Sequence, residues 1–590
     1  MVPRLMDELS MTKQELAAVA PALEAARRDL ERVKREYEQL HAAYTRKLEE
    51  LALLKRRMFI AKAERPVAAA EQLVLDALFD QAKADAKAQL DLAQAEDQAT
   101  SEPEAEAGSS LDPSSPKPDS AGTGGESEEA GAGPKGRSRR NLEESALPVR
   151  RFEIHDPKLQ AEGTFFRFEV SRQFGWERGG PVIIETALAI YRMPDEDLPS
   201  ATKLVTSAKP REVFRRGLLA PSFAARLLAS KYVLGVPFYR LEDELDALGA
   251  PLDRGTMCRY AEEAGAVLGG IVVAMRDDSL ANAFCLSTDA TGVAVQPERL
   301  PDDKTRKPCR KAHFFVVLAD RDHVFFEYQP KHTSAAVCDM FRGFTGYIQA
   351  DAHAVYDALF AGRTPKNVAP PTGPPPTEVG CWAHARRKFW EAAVCKYAEG
   401  VEGLRLIDQI YDIDRGFAKL SPAQRKRARE VAVRPLVDAF FVWAERGLAK
   451  KPPHGLVNTA LGYAMRNKIA LQRFLENGKL RLDNNHSERA ARKIATGRKA
   501  WLFVGSDDHG TATGNLLSLV ASCRLHGLDP EAYFAEVLRV IAVWPADRLL
   551  ELSPRDWAAT RARLAPETFE NEVGYVVVPG PLPAKEQASA

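Results

Sequence analysis

An aspartate interrupts an apolar, β-prone run at residues 283–296, AFCLSTDATGVAVQ. A charge in a strand otherwise built for burial is costly unless something compensates it. That single residue, Asp289, therefore constrains the fold more than any other feature. Two further strand-like runs follow, AHFFVVLAD and HVFFEYQ. A second acid stands in GYIQADAHAVYDALF, where a short strand, 347–350, should end at Asp351 before a helix. A third stands in LDNNHSERAARKIATGRKAWLFVGS, where Glu488 falls in the first turns of a helix that Asp483 or Asn484 could cap. Taken singly, each acid fits a salt-bridged structural role. The order strand-Asp, strand-end-Asp, helix-Glu is far more specific.

One way to compensate three converging carboxylates is a divalent cation. Mg²⁺ is hard, prefers oxygen, and is typically held by one or two carboxylates plus substrate phosphate. Two such ions about 4 Å apart can activate an attacking oxygen and stabilise a leaving one. On that reading Asp289 bridges both ions, Asp351 completes one site and Glu488 the other. Mn²⁺ can substitute.

Basic residues surround the third acid. Arg489, Arg492, Arg498 and Lys499 lie within eleven positions of Glu488. In a helix, positions 488 and 492 share a face, so Arg492 could orient the carboxylate or reach a phosphate. Trp501 offers a flat surface for an unpaired base, or else it is a core aromatic beside Leu502 and Phe503. In GCWAHARRKFWEA, Cys381 and His384 stand at a strand-to-helix junction with Arg386, Arg387 and Lys388 directly after them. One CxxH without a second pair is weak evidence for zinc. His384 could orient a carboxylate or bond a phosphate; alternatively the pair is a buried thiol and a capping imidazole. The three basic residues cannot all face one way on a helix, yet at least one should face a substrate.

The remaining chain divides into several parts, as 590 residues require. Apolar positions from Leu16 through Leu23, Leu30, Tyr37, Tyr44 and Leu51 to Met58 alternate in steps of three and four, with charged residues between. This is a coiled-coil seam, continuous from about residue 21, where Pro21 can start a helix; a single amphipathic helix is the other reading. Residues 70–93 look helical. From about 94 to 147 the chain is acidic, rich in Ser, Pro and Gly, and nearly without large apolar residues, so it should not order. It ends in a basic cluster, Lys135, Arg137, Arg139 and Arg140, that can touch phosphate or simply be solvated.

Residues 148–208 carry β-like runs, TFFRFEVSRQF and GPVIIETALAIYRM. From about 220 the pattern turns helical, and helix, Gly-containing turn and helix suggest a helix-turn-helix. Arg254, Thr256, Arg259 and Tyr260 would lie near the start of its second helix, where side chains reach base edges, although many helical hairpins bind nothing. The formal net charge is zero. That does not exclude a polyanion partner, because basic patches can be offset by the acidic linker. No stretch approaches the roughly 20 apolar residues of a membrane span, and the N-terminus lacks the apolar core of a signal peptide. A cytoplasmic protein without a membrane partner is expected. Seven scattered cysteines form no CxxC pair, so reduced thiols are expected.

These segments resemble the transposases of the insertion sequence 66 (IS66) family, which belong to the DDE class with an RNase H-like core. The resemblance rests on LDNNHSER followed by GRKAWLF, on CWAHARRKF, and on HGLDPEAYFAEVL, and covers roughly residues 210–545. The N-terminal segment ending in LLKRRMF is also similar. The resemblance implies a metal-dependent DNA transposase with Asp289, Asp351 and Glu488 as catalytic triad, cutting at element ends and joining them to target DNA. It implies a multidomain α/β chain in nine parts. These are a coiled coil (1–62), a helical segment (63–93), the linker (94–147), a small β-rich module (148–208) and a helix-turn-helix region (209–278). The first part of an RNase H-like mixed-sheet core (279–395), an all-helical insertion (396–478), the last part of the core (479–545) and a C-terminal extension (546–590) follow. A homo-oligomer through the coiled coil is expected, and accessory proteins of the same element can take part.

Three departures stand out. The family usually has Asp-Glu-Thr at the first acid, where this chain has Asp289-Ala290-Thr291. At the second it usually has Asp-Gly-Tyr, here Asp351-Ala352-His353. Both changes leave the carboxylate in place. The family's zinc-finger-like cysteines are absent from 148–208, so zinc is not expected there. Two other functions fit the same features: a DNA-binding descendant with an inactive core, and an RNase H-like nuclease that cuts without joining.

Overall fold

A computed structural model describes residues 31, 34–35, 80–89, 91–92, 142, 145–177, 179–194, 202–297, 308–366, 368–450, 455–484 and 503–583. The expected coiled-coil seam and almost all of the expected linker lie outside them. The elements run in chain order as β1 (Val149–Ile154), β2 (Thr164–Glu177), β3 (Gly180–Pro194) and β4 (Thr202–Thr206), then helices α1 (Pro221–Tyr232), α2 (Phe238–Ala247) and α3 (Arg254–Asn282). Next come β5 (Cys285–Val295), β6 (Arg310–Ala319), β7 (His323–Gln329), β8 (Tyr347–Ala350) and β9 (Thr377–Gly380). Helices α4 (Trp382–Val394), α5 (Ala398–Gly416), α6 (Arg434–Ala449), α7 (Leu456–Arg466), α8 (Asp507–Leu525) and α9 (Pro530–Val540) complete the set used below. The mixed α/β architecture, with mixed sheets and many helices, is the one the residue patterns lead to. Among the described residues no helix is long and apolar enough to cross a membrane.

The chain divides into two compact units. The first holds residues 284–289 and 333–488 together with the chain before residue 96. Here the start of β5 pairs in parallel with β8, and β8 pairs in parallel with β9. Short parallel strands need both faces covered, and α4 and α6 supply an apolar core of Trp382, Phe389, Phe440 and Phe441, joined by Phe474 from the turn Arg473–Leu475. The Trp382 indole N–H donates to the Leu471 carbonyl at 2.8 Å, so this large ring is buried without an unmet donor. Gly380 lets the backbone at Leu471 come close, since a Cβ there would stand 2.8 Å from the Leu471 nitrogen.

A buried ion pair ties this helical region together. Arg429, fully buried, donates to Asp414 at 2.6 and 3.1 Å and to the carbonyls of Phe474 and Leu480 at 2.8 and 2.9 Å. Burial opposes ionisation of Asp414, but the bonds from Arg429 and Arg425 outweigh it and hold its carboxyl below the usual range. Arg429 lies in a π-type turn, Arg429–Val433, which swings its side chain toward those carbonyls.

The second unit holds residues 96–283, 290–332 and 489–590. Its first sheet is mixed. Strand β3 lies at the centre, parallel to β1 and antiparallel to β2 and β4. Central placement explains why β3 is buried along most of its length. Its one acid in that stretch, Glu185, is held by Arg151 at 3.0 Å and Arg172 at 2.7 Å. Elsewhere in the unit, the rest of β5 neighbours β6, and β6 and β7 form an antiparallel hairpin. The outward backbone groups of β7 are taken up by α8. Ser518 accepts from the Phe326 N–H at 2.8 Å, and Ser522 bonds both the N–H and the carbonyl of Val324. Serines four apart on a helix share a face, so α8 closes the edge that the hairpin leaves open.

Candidate active site

The parallel register of β5 and β8 brings the first two acids together. Cys285 pairs with Tyr347, Leu286 with Ile348 and Ser287 with Gln349. Asp289 stands two residues past Ser287, and Asp351 two past Gln349. Neighbouring strands lie about 4.8 Å apart, so the register puts Asp289 and Asp351 at matching positions just past the end of the paired segment. Both residues are half-buried. The turn after Asp351 is held locally: its Oδ1 accepts from the His353 N–H at 3.1 Å, and its carbonyl accepts from the Tyr463 hydroxyl at 3.4 Å. Ala352, between them, has φ +56°, a left-handed conformation that an alanine adopts only at a cost.

Tyr356 lies near enough to both acids to feel their charge. It is buried, and its hydroxyl is 3.4 Å from the Thr288 hydroxyl. Burial pushes its phenol up; the Thr288 bond opposes this, and the charges of Asp351 and Asp289 add to it. Tyr463 is raised in the same direction, by burial first and then by Cys381, Asp351 and Glu378. Both phenols therefore remain neutral at ordinary pH and add no charge beside the carboxylates.

The segment leading to the third acid is fastened to the same strand. Asn484, 1% exposed, donates from its side-chain amide to the Thr288 carbonyl at 2.6 Å, and its backbone N–H donates to the Cys381 sulfur at 3.3 Å. Gln349, also buried, donates to the carbonyls of Gly380 at 3.3 Å and Arg481 at 3.0 Å. Glu488 itself lies outside the described residues, as do Arg489, Arg492, Arg498, Lys499 and Trp501. In the second unit the chain is described again from Phe503, and Val504 bonds Ala294 and Gln296 at the end of β5.

Cys381 is the N-cap of α4 and is fully buried, and burial pushes its thiol up to about 12. A neutral buried thiol is a packing group, the plainer of the two sequence readings. Among the described residues no group of three or more His, Cys, Asp and Glu could hold a metal. The oxygen donors that are described nevertheless suit a hard cation. Asp289 and Asp351 stand at matching positions on neighbouring strands, and Asn484 Oδ1, buried beside the Asp289 strand, has no hydrogen-bond partner among the described residues.

His384, Arg386, Arg387 and Lys388 occupy the first two turns of α4. Arg386 pairs with Asp408 on α5 through bonds of 2.7 and 3.3 Å, while Arg387 is exposed and only 3.9 Å from Glu391. In the second unit Arg254 and Arg259 stand on the exposed first turns of α3. Asp253 caps that helix through the Thr256 N–H at 2.8 Å. Tyr260 differs from the base-contact expectation: its hydroxyl accepts from the Leu218 and Leu219 backbone N–H groups, so it fastens a loop. Sequence reasoning did not single out Thr288, Gln349, Tyr356, Tyr463 or Trp390. Thr288 and Gln349 carried a signal, as polar side chains in strands built for burial.

Residues 216–512, half of the chain, match the family described as Transposase IS66 family, and residues 518–554 match the IS66 C-terminal element. Among curated proteins, Uncharacterized protein y4hP of Sinorhizobium fredii is 27% identical over 401 residues, 64% of this chain and 69% of the relative. Uncharacterized protein y4qI of the same organism is 24% identical over 413 residues, 68% of this chain and 74% of the relative.

Proposed function

This chain belongs to the transposase IS66 family, and from that premise we propose that it cuts DNA at the ends of its element and joins them to a target. The observation that carries this reading is the parallel register of β5 and β8, which sets Asp289 beside Asp351. Glu488 is the third member of the set. It lies four positions past Asn484, so covalent reach keeps it within about 14 Å of that anchor. The core is RNase H-like: the first acid on a strand that leads into an antiparallel hairpin, the second at the end of the next parallel strand.

Asp289, Asp351 and Glu488 would hold Mg²⁺, two ions by the donor count, with Mn²⁺ as a substitute. Bound there, the metal would supply Lewis-acid activation of the attacking oxygen and charge stabilisation of the leaving one. The chain's own groups position and neutralise. Asn484 and Thr288 keep the third segment on the Asp289 strand, and Tyr463 and His353 fix the backbone around Asp351. Tyr356 keeps a neutral hydroxyl on Thr288, within reach of both acids' charge, so it adds no further anion to compete for the cation. Arg387, Lys388, Arg489, Arg492, Arg498 and Lys499 meet phosphates, Arg386 lines the approach, and Arg254 and Arg259 contact DNA from α3. Such contacts make affinity fall steeply with salt. Two ends must be held together, and the N-terminal seam gives a route to self-association.

A duplex carrying an element end, incubated with the purified protein and Mg²⁺, tests this directly. Cleaved ends that then join a target duplex are expected. Cleavage without joined product would instead indicate a nuclease. Inactivity in both Mg²⁺ and Mn²⁺ with retained DNA binding would indicate an inactive DNA-binding descendant.

A further inference from the structure

The first unit has an open groove of about 680 Å³ between α4 and α5. It forms because each helix turns one stripe toward the other: Arg386, Arg387 and Trp390 on α4, and Asp408, Tyr411 and Arg415 on α5. Residues three and four apart share a helical face, so both stripes are continuous. Trp390 is 38% exposed although it belongs to a helix whose other aromatics are buried. Asp408 holds Arg386 at 2.7 Å, and Asp412 holds Arg415 at 3.0 Å. Arg387 is two-thirds exposed, and among the described residues its acid is Glu391 at 3.9 Å, a looser pair than the other two. The floor is the Tyr411 ring, whose hydroxyl burial and the nearby Asp483 charge keep protonated. The groove begins two residues past Cys381, whose sulfur meets Asn484, so it adjoins the segment that leads to Glu488.

We propose that this groove holds an unpaired nucleotide of the DNA strand being processed, with its base laid on Trp390 and its phosphate met by Arg387. The proposal rests on the transposase reading and adds to it the state of the DNA that the site takes. Three features favour an unpaired nucleotide over duplex. The volume lies within the roughly 300–1,000 Å³ of sites that enclose a small ligand, whereas a duplex needs a broad surface. Asp408 and Asp412 neutralise Arg386 and Arg415, which leaves the exposed Arg387, loosely paired with Glu391 at 3.9 Å, to meet one phosphodiester rather than a run of them. An exposed indole beside guanidinium groups is a stacking platform that any base can use.

The test uses the full chain in EDTA, so that cleavage plays no part, with fluorescence anisotropy on a ten-nucleotide oligo(dT) and on a duplex of equal length. Trp390→Ala should weaken oligo(dT) binding by about 5- to 150-fold, the range that base–aromatic stacking spans. Trp390→Phe, which keeps a ring, should stay within about threefold. Arg387→Ala should reduce oligo(dT) affinity and flatten its salt dependence by about one phosphate contact. Duplex affinity should be unchanged in Trp390→Ala and Trp390→Phe, with unaltered melting curves of all three variants as the folding control. Equal binding of oligo(dT) by wild type and Trp390→Ala would overturn the proposal, and so would parallel losses on both DNAs. The two readings fail separately. A chain that cleaves DNA yet ignores Trp390→Ala lacks only this groove function; one that binds oligo(dT) through Trp390 yet never cleaves lacks the transposase activity.

Discussion

Replacing Ala352 with glycine should make the protein more stable. Ala352 follows Asp351 directly and has φ +56°, where Cβ crowds the following carbonyl at a cost of roughly 1–2 kcal/mol. Glycine removes that strain but loses more backbone freedom on folding, about 0.5–1 kcal/mol relative to alanine. The difference leaves about 0.5–1 kcal/mol in favour of Ala352→Gly. In a unit of this size 1 kcal/mol moves the melting midpoint by about 2–4 °C, so a rise of about 1–4 °C is expected. The bonds that fix the turn, from the His353 N–H to Asp351 Oδ1 and from Tyr463 to the Asp351 carbonyl, involve no atom of the Ala352 side chain and should persist. Ala358→Gly is the control. It lies in the short helix Asp357–Phe360, has no such strain to relieve, and should lose about 0.5–1 kcal/mol. Differential scanning calorimetry on both variants decides the matter. A midpoint for Ala352→Gly at or below that of wild type would refute the strain argument. It would also remove the physical reason for the glycine that the family usually carries there.

Other substitutions probe the supports of the site. Asn484→Ala strips the buried Thr288 carbonyl of its donor and should cost about 1–3 kcal/mol, measured by urea denaturation, with a larger loss in cleavage than in DNA binding. Asp414→Asn leaves Arg429 charged and buried without its partner and should cost about 3–5 kcal/mol. Because the Asp414 carboxyl is held low in the folded chain, its contribution is present above about pH 3.9 and lost as pH falls through the folded value. The stability gap between wild type and Asp414→Asn should therefore narrow in strong acid. Tyr356 and Tyr463 are raised from the ordinary phenol range, so the cleavage rate should show no phenol step below about pH 10; a step that Tyr356→Phe abolished would contradict this.

Much of the architecture around the acids was legible in the sequence, because each strand there is a continuous apolar run bounded by polar turns. The strand before Asp351 and the two strands after Asp289 follow from such patterns, whereas the helices of 396–478 were expected from the family resemblance. What tied them into a site was not legible. Asn484 and Gln349 act through buried amides whose partners are 196 and 132 residues away, and no periodicity announces such a bond. The stripe that faces Trp390 arises only when α4 and α5 pack together. Tyr260 was misread because a residue near the start of a helix looks the same in sequence whether it faces a base or a loop. Ala352 was visible only as a departure from the family's glycine, and its backbone conformation supplies the physical meaning.

The account stands on a shared role for three acids. Single variants Asp289→Asn, Asp351→Asn and Glu488→Gln, each nearly unchanged in volume, should be assayed for Mg²⁺-dependent cleavage of an end-containing duplex alongside binding of the same duplex. All three should lose cleavage while binding that duplex about as wild type does. Near-normal cleavage by any one of them would contradict the account by removing that residue from the site.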